Sequence, residues 1–105
     1  GVANGILFPY IVKYNEEAAF GKYQKIYNYI STEKKCESEF SKGMLEQAVR
    51  ELNAQVGIPA KLSDAGVTDE YFAQMTEDAM KSGNIAVNPQ KTVREDILAL
   101  YKEAL

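Results

Sequence analysis

Apolar residues recur at helical spacing along most of this chain. Between Val2 and Tyr14 the apolar and aromatic positions (Val2, Ile6, Leu7, Phe8, Tyr10, Ile11, Val12 and Tyr14) leave almost no polar side. A helix with that pattern is expected to be buried all round. Pro9 lies inside it, removes one backbone donor and crowds the carbonyl of Gly5, so the reading predicts a kink there. A strand over Ile6 to Val12 competes, because periodicity alone does not separate the two. Asn15 followed by Glu16 and Glu17 predicts a fresh helix start, a capping amide and then acids against the positive end of the dipole. Ala19, Tyr23, Ile26, Tyr27 and Ile30 continue at helical spacing, and Ser31 to Glu39 is a polar connection.

From about Phe40, the set Leu45, Ala48, Val49, Leu52 and Val56 marks an amphipathic helix. Gly57 and Pro59 stop it in the usual order. A turn-rich connection through Ser63-Asp64-Ala65-Gly66 follows. Thr68, Asp69 and Glu70 open another helix with Phe72, Met75, Ala79 and Met80 inward, ending at Gly83. Asn84 to Lys91 reads as a loop. Thr92-Val93-Arg94-Glu95 then reads as a capping box for a last helix lined by Val93, Ile97, Leu100, Tyr101 and Ala104. The expectation is an all-α, bundle-like piece of about five helices with short connections.

The start of the first segment bears on domain organisation. An apolar element opens at residue 1 with no initiator Met, polar lead-in or cap, although free termini favour the surface. The expectation is that the N-terminal side has been cut away. With 105 residues there is room for one small core.

Composition narrows the function classes. A net charge of −3 offers no basic surface for nucleic acid or an anionic membrane. The apolar run from Gly5 to Val12 is too short to span a bilayer, which needs ~20 residues, and it lacks the flanks of a signal peptide. The single cysteine, Cys36, cannot form an intramolecular disulfide and fits a reducing cytoplasm. Lys34 and Lys35 favour its thiolate while Glu33 and Glu37 oppose it, so a reactive role is not favoured.

The chain has no histidine, which removes the commonest general base and the commonest metal ligand together. No EF-hand loop, Gly-rich phosphate loop or nucleophile elbow is present. The acid pairs Glu16/Glu17, Asp69/Glu70 and Glu95/Asp96 all fall at expected helix starts, where the dipole accounts for them better than acid–base catalysis. By itself the chain offers no catalytic, cofactor-binding or metal-binding centre.

Three ordered motifs carry a resemblance. The opening Gly1-Val2-Ala3-Asn4-Gly5-Ile6-Leu7-Phe8-Pro9-Tyr10-Ile11-Val12-Lys13-Tyr14-Asn15 is the first. Ile58-Pro59 through Leu62 with Gly66-Val67 is the second. Asn88-Pro89, Thr92, Glu95-Asp96-Ile97 and the terminal Leu100-Tyr101-Lys102-Glu103-Ala104-Leu105 make the third. Together they resemble the iron-containing (class III) alcohol dehydrogenases, over all of residues 1–105, with Lys22 to Phe40 the least diagnostic part.

The resemblance implies the C-terminal helical part of the dehydroquinate synthase-like fold. The parent would have an N-terminal α/β domain for NAD or NADP and a helical domain supplying an Asp and three His to Fe²⁺, or sometimes Zn²⁺. The last of those His would immediately precede Gly1, leaving no ligand in this stretch. Gly5 stands where the family often has Ala, Tyr10 where it frequently has His, and Gln90 where it has Arg. Asn84 falls where relatives often carry Cys, and the resemblance makes it a candidate cleft-lining residue of the parent.

The expected function is therefore that of a C-terminal piece of an NAD(P)-dependent alcohol dehydrogenase or aldehyde reductase, not catalytic by itself. Its partners would be the remainder of the parent enzyme, a small alcohol or aldehyde for the parent, and another copy through an exposed apolar first helix. The rival is an independent helical interaction module that uses the same apolar face. Glycerol dehydrogenase or dehydroquinate synthase-like enzymes match the motifs less well.

Overall fold

The computed structural model describes residues 2–30, 35 and 39–105. Four α-helices account for most of them: α1 (Val2–Ile30), α2 (Met44–Gln55), α3 (Phe72–Met80) and α4 (Arg94–Ala104), with short 3₁₀ turns at Leu62–Ala65 and Asp69–Tyr71. No strand occurs among the described residues, so the helical reading of Ile6 to Val12 stands. The expectation of about five helices differs because the first two run together as α1.

The bend in α1 lies at neither Pro9 nor Asn15. The residue with non-helical dihedrals is Ala19, at φ −125° and ψ 20°. The hydroxyl of Tyr23 donates to the Val12 carbonyl oxygen at 2.8 Å. Along a straight helix those residues would be ~16 Å apart axially, far beyond a tyrosine's reach. The two halves of α1 therefore fold towards each other at Ala19.

Pro9 leaves its trace differently. Without its N–H, the Gly5 carbonyl loses its partner four residues on. Asn53 of α2 supplies the donor instead, its Nδ2 lying 2.9 Å from the Gly5 oxygen. One helix's defect becomes a docking point for the other. The tip of Ile58, in the loop after α2, rests on Gly5, where a Cβ would stand 3.0 Å from Ile58 Cδ1 and displace that side chain slightly.

Two apolar clusters result. One packs the bend of α1 against α2 through Val12, Ala19, Tyr23, Phe40, Leu45 and Val49. The other gathers Ile6, Tyr10, Leu62, Phe72 and Ala104 from four parts of the sequence. α2 ends as expected: Ile58 N donates to Asn53 O (2.8 Å), Gly57 N to Ala54 O (3.3 Å), and Gly57 takes φ +81°. Only a left-handed residue closes that pair of bonds without strain.

Several expectations need correction. α1 is not buried all round: Val2 and Phe8 are 55% and 52% exposed, and Ile11 is exposed too. The other three helices cover only one side of it. Leu52 and Val56, expected on the inner stripe of α2, also face solvent. α3 ends at Met80 with Lys81 as its cap, before Gly83. Thr92 does not cap α4. The helix begins after Val93, whose backbone N–H is held by the Asp96 carboxylate at 2.9 Å. Valine has no side-chain acceptor to return that bond, so only half of a capping box forms.

Among the acid pairs, Glu95/Asp96 open α4 as expected, whereas Asp69/Glu70 open the short 3₁₀ turn ahead of α3, whose own first turn holds no acid. Glu16 and Glu17 instead lie mid-helix in α1, where buried Glu16 accepts the Gly43 N–H at 2.6 Å. The expectation for Cys36 lies outside the described residues. No described helix is long and apolar enough to cross a membrane.

Candidate functional site

The three motifs meet in space. The Tyr10 hydroxyl donates to Ala60 O at 3.0 Å, joining the first motif to the second. Ser63 Oγ donates to Leu105 O at 2.6 Å, joining the second to the third. Asn15 and Asn88 exchange side-chain hydrogen bonds of 2.9 and 2.8 Å, joining the first to the third. Exposed Lys13 and Glu103 add an ion pair at 2.9 Å. These motif residues mainly assemble the piece, and nothing in their geometry marks them as reacting groups.

The groove they leave open is formed by α1, α3, α4 and the 81–93 connection. It measures about 540 Å³, with an apolar floor from Leu7, Ile11, Met75, Ile97 and Leu100. Its polar lining is Asn4, Asp78, Ser82, Asn84 and Tyr101. A smaller space of about 200 Å³ adjoins it, sharing Ile11, Asn84, Ile85, Ile97 and Leu100 and adding Tyr14, Asn88 and Thr92. Asn84 thus lines both chambers. Its side chain is exposed, and its backbone N–H donates to Ser82 Oγ at 3.2 Å.

Tyr101 stacks on Phe72, the ring centroids 5.6 Å apart. Burial, and next the negative charge of Asp78, push its hydroxyl above the usual tyrosine pKa, so it stays a neutral donor. Asp78 itself accepts from Gln74 Nε2 at 2.8 Å. The lining can orient a small polar ligand by amide, hydroxyl and carboxylate groups. It holds no imidazole, and among the described residues no three His, Cys, Asp or Glu side chains converge to hold a metal ion.

Asn84 was marked by the resemblance. Asn4 lay inside the first motif without a role, and Asp78, Ser82 and Tyr101 were not singled out for the groove. Their only sequence signal is a position at the exposed margin of otherwise apolar helix stripes.

Comparison with known proteins decides the family. The model of the Fe-containing alcohol dehydrogenase family, C-terminal, matches residues 1–105. The chain belongs to the Fe-containing alcohol dehydrogenase family. It is 33% identical over 105 residues to 1,3-propanediol dehydrogenase of Citrobacter freundii, covering 99% of this chain and 27% of that protein. It is 34% identical to lactaldehyde reductase of Escherichia coli, covering 99% and 28%. A solved 1,3-propanediol oxidoreductase superposes with a TM-score of 0.83 at 31% identity, over 100% of this chain and 28% of that one. The chain therefore spans little more than a quarter of the relatives it matches, and it corresponds to the family's C-terminal helical part.

Proposed function

We propose that residues 1–105 form one wall of the catalytic cleft in an NAD(P)-dependent alcohol dehydrogenase or aldehyde reductase. The observation that carries this reading is the match along the entire chain to the C-terminal part of that family, with a TM-score of 0.83 to a solved member. The uncovered apolar positions of α1 support it, because Phe8 and Ile11 are the kind of surface that a neighbouring part of the same protein covers.

The family implies Fe²⁺ (Zn²⁺ is the alternative) and a nicotinamide cofactor. The residues of this chain do not fit either role: it has no histidine, no convergent acid cluster among the described residues and no phosphate-binding loop. Both groups are assigned to residues outside 1–105, and a metal-binding His is proposed immediately before Gly1. What this stretch contributes is shape. Leu7, Ile11 and Leu100 exclude water from one side of the groove, and Asn84 presents its amide at the edge where a small alcohol or aldehyde would pass. The cytoplasm is the proposed location.

The complete polypeptide carrying these residues, loaded with Fe²⁺, is expected to reduce NAD⁺ or NADP⁺ in the presence of short-chain alcohols. Metal-loaded protein that turns over none of a panel of short alcohols and aldehydes with either cofactor would defeat the reading.

A further inference from the structure

The segment from Ser82 to Thr92 carries Asn84 and Ile85 into the groove, yet little of its own backbone holds it. It is built of short turns, with Ile85 N donating to Ser82 O at 3.2 Å and Asn88 N to Ile85 O at 3.4 Å. Ser82, Gly83, Asn84, Ala86 and Val87 are exposed. Its firm attachment to α1 is Asn88, whose amide forms a closed two-bond ring with the amide of Asn15, 73 residues away in sequence. Asn15 is buried at 6% exposure.

The orientation of the ring is set from outside it. Thr92 Oγ1 donates its proton to Gln90 O at 2.8 Å, so it can only accept from Asn88 Nδ2, which lies 3.0 Å away. Asn88 must therefore turn its NH₂ towards Thr92 and Asn15 Oδ1, leaving its own oxygen for Asn15 Nδ2. A second tie, Tyr14 OH to Lys91 O at 3.1 Å, lies on the exposed flank.

We propose that the Asn15–Asn88 amide pair is a latch that holds the 84–92 segment, and Asn84 with it, against the groove. Asn15 and Asn88 are then positioning residues for whatever the groove binds. Opening exchanges both bonds for bonds to water, so the hold is modest and reversible. An apolar contact of the same area would fix the segment without specifying its register.

The chemistry of the ring supplies its own test in the complete polypeptide. A protonated carboxylic acid can donate and accept in the same places as the Asn15 amide, whereas a carboxylate can only accept. Lys13, Glu16 and Glu17 beside Asn15 and Lys91 beside Asn88 are the charged neighbours in sequence, and all remain in every variant. Hydrogen exchange at the Ile85 and Asn88 amides, corrected for intrinsic chemistry, is measured across acidic to neutral pH. Asn15→Ala is expected to speed exchange on the order of tenfold at every pH. Asn15→Asp should match wild type below its carboxyl pKa, which burial raises, and exchange faster above it, towards Asn15→Ala, because the carboxylate keeps only the bond it accepts from Asn88 Nδ2.

Exchange in Asn15→Asp that follows wild type at every pH would overturn the latch. So would loss of the whole fold in that variant at every pH, since the pair would then be core packing. A second arm, the KM of the Fe²⁺-loaded enzyme for alcohol, should rise with pH in Asn15→Asp and not in wild type. That arm rests on the dehydrogenase reading. If exchange switches with pH but wild type has no alcohol turnover, the dehydrogenase reading fails and the latch stands.

Discussion

The two clusters of the molecule are held together differently. Around Ile6, Tyr10, Leu62, Phe72 and Ala104, side-chain hydrogen bonds join residues 42 to 50 apart: Ser63 to Leu105, Asn53 to Gly5 and Tyr10 to Ala60. Around Val12, Ala19, Tyr23 and Phe40 the bonds are mostly local, such as Tyr23 to Val12 at 11 residues and Asn28 to Lys35 at 7, with Glu16 to Gly43 spanning 27. There, aromatic packing does more of the joining: Phe40 lies 5.1 Å from Phe20 and 5.6 Å from Tyr27, centroid to centroid. The family motifs fall mainly on the long-range half, with Val12 of the first motif reaching into the other cluster, and the least diagnostic stretch, Lys22 to Phe40, falls on the local half. Long-range directional bonds constrain residue identity, whereas an apolar contact accepts several side chains of similar volume.

The largest expected effect is at Leu62, which is fully buried in the cluster drawn from four parts of the sequence. Leu62→Ala should cost about 2–5 kcal/mol by urea unfolding. Val49→Ala in the other cluster should cost less, because a smaller cavity remains. Equal losses would erase the distinction.

Asn53→Ala comes next. It strands the Gly5 carbonyl that Pro9 has left without a helical donor, at an expected cost of about 1–3 kcal/mol. In a Pro9→Ala background the restored N–H should satisfy that carbonyl, and the cost of Asn53→Ala should shrink. A double-mutant cycle with no coupling would contradict the pairing.

Tyr23 gives the local half a pH signature. Burial first, and then the charge of Glu16, push its pKa up to about 12 from the usual 10.0. The folded state therefore binds the proton more tightly than the unfolded one. Stability that is complete below pH ~10 should fall as pH rises towards the folded value. Tyr23→Phe should reduce that slope in unfolding midpoints between pH 9 and about 12, leaving the contribution of Tyr101, whose pKa is also raised.

The smallest effect is expected at the exposed Arg94–Glu77 pair, 2.6 Å long. Arg94→Ala should leave the urea unfolding midpoint nearly unchanged, and any shift should shrink in high salt.

Much of the fold was legible from the sequence. The stripes of α2, α3 and α4 predicted those helices to within a few residues, and Gly57-Ile58-Pro59 marked the end of α2. The two misread helix caps share one physical origin. Asn15 and Thr92 both look like helix caps, because short polar side chains favour that role. Here each is used by a partner elsewhere: Asn15 by Asn88, and Thr92 by Asn88 and Gln90. A local rule has no means of seeing a partner 73 residues away. Pro9 shows the converse, since the carbonyl it leaves without a helical partner is satisfied by a donor from another helix. Of the groove residues, only Asn84 was singled out in the sequence, through resemblance; Asp78 and Ser82 acquire their position from the packing of α3 against α4.

On the proposed function, this helical piece walls a dehydrogenase cleft without holding the metal. Its most direct test is Asn84→Trp in the complete, Fe²⁺-loaded polypeptide, measuring bound iron and alcohol-dependent nicotinamide reduction together. A cleft-wall position predicts iron unchanged and kcat/KM for alcohol lowered by about tenfold or more, roughly 1.4 kcal/mol of transition-state stabilisation. Turnover unchanged with the bulky side chain in place, or iron lost together with activity, would contradict it.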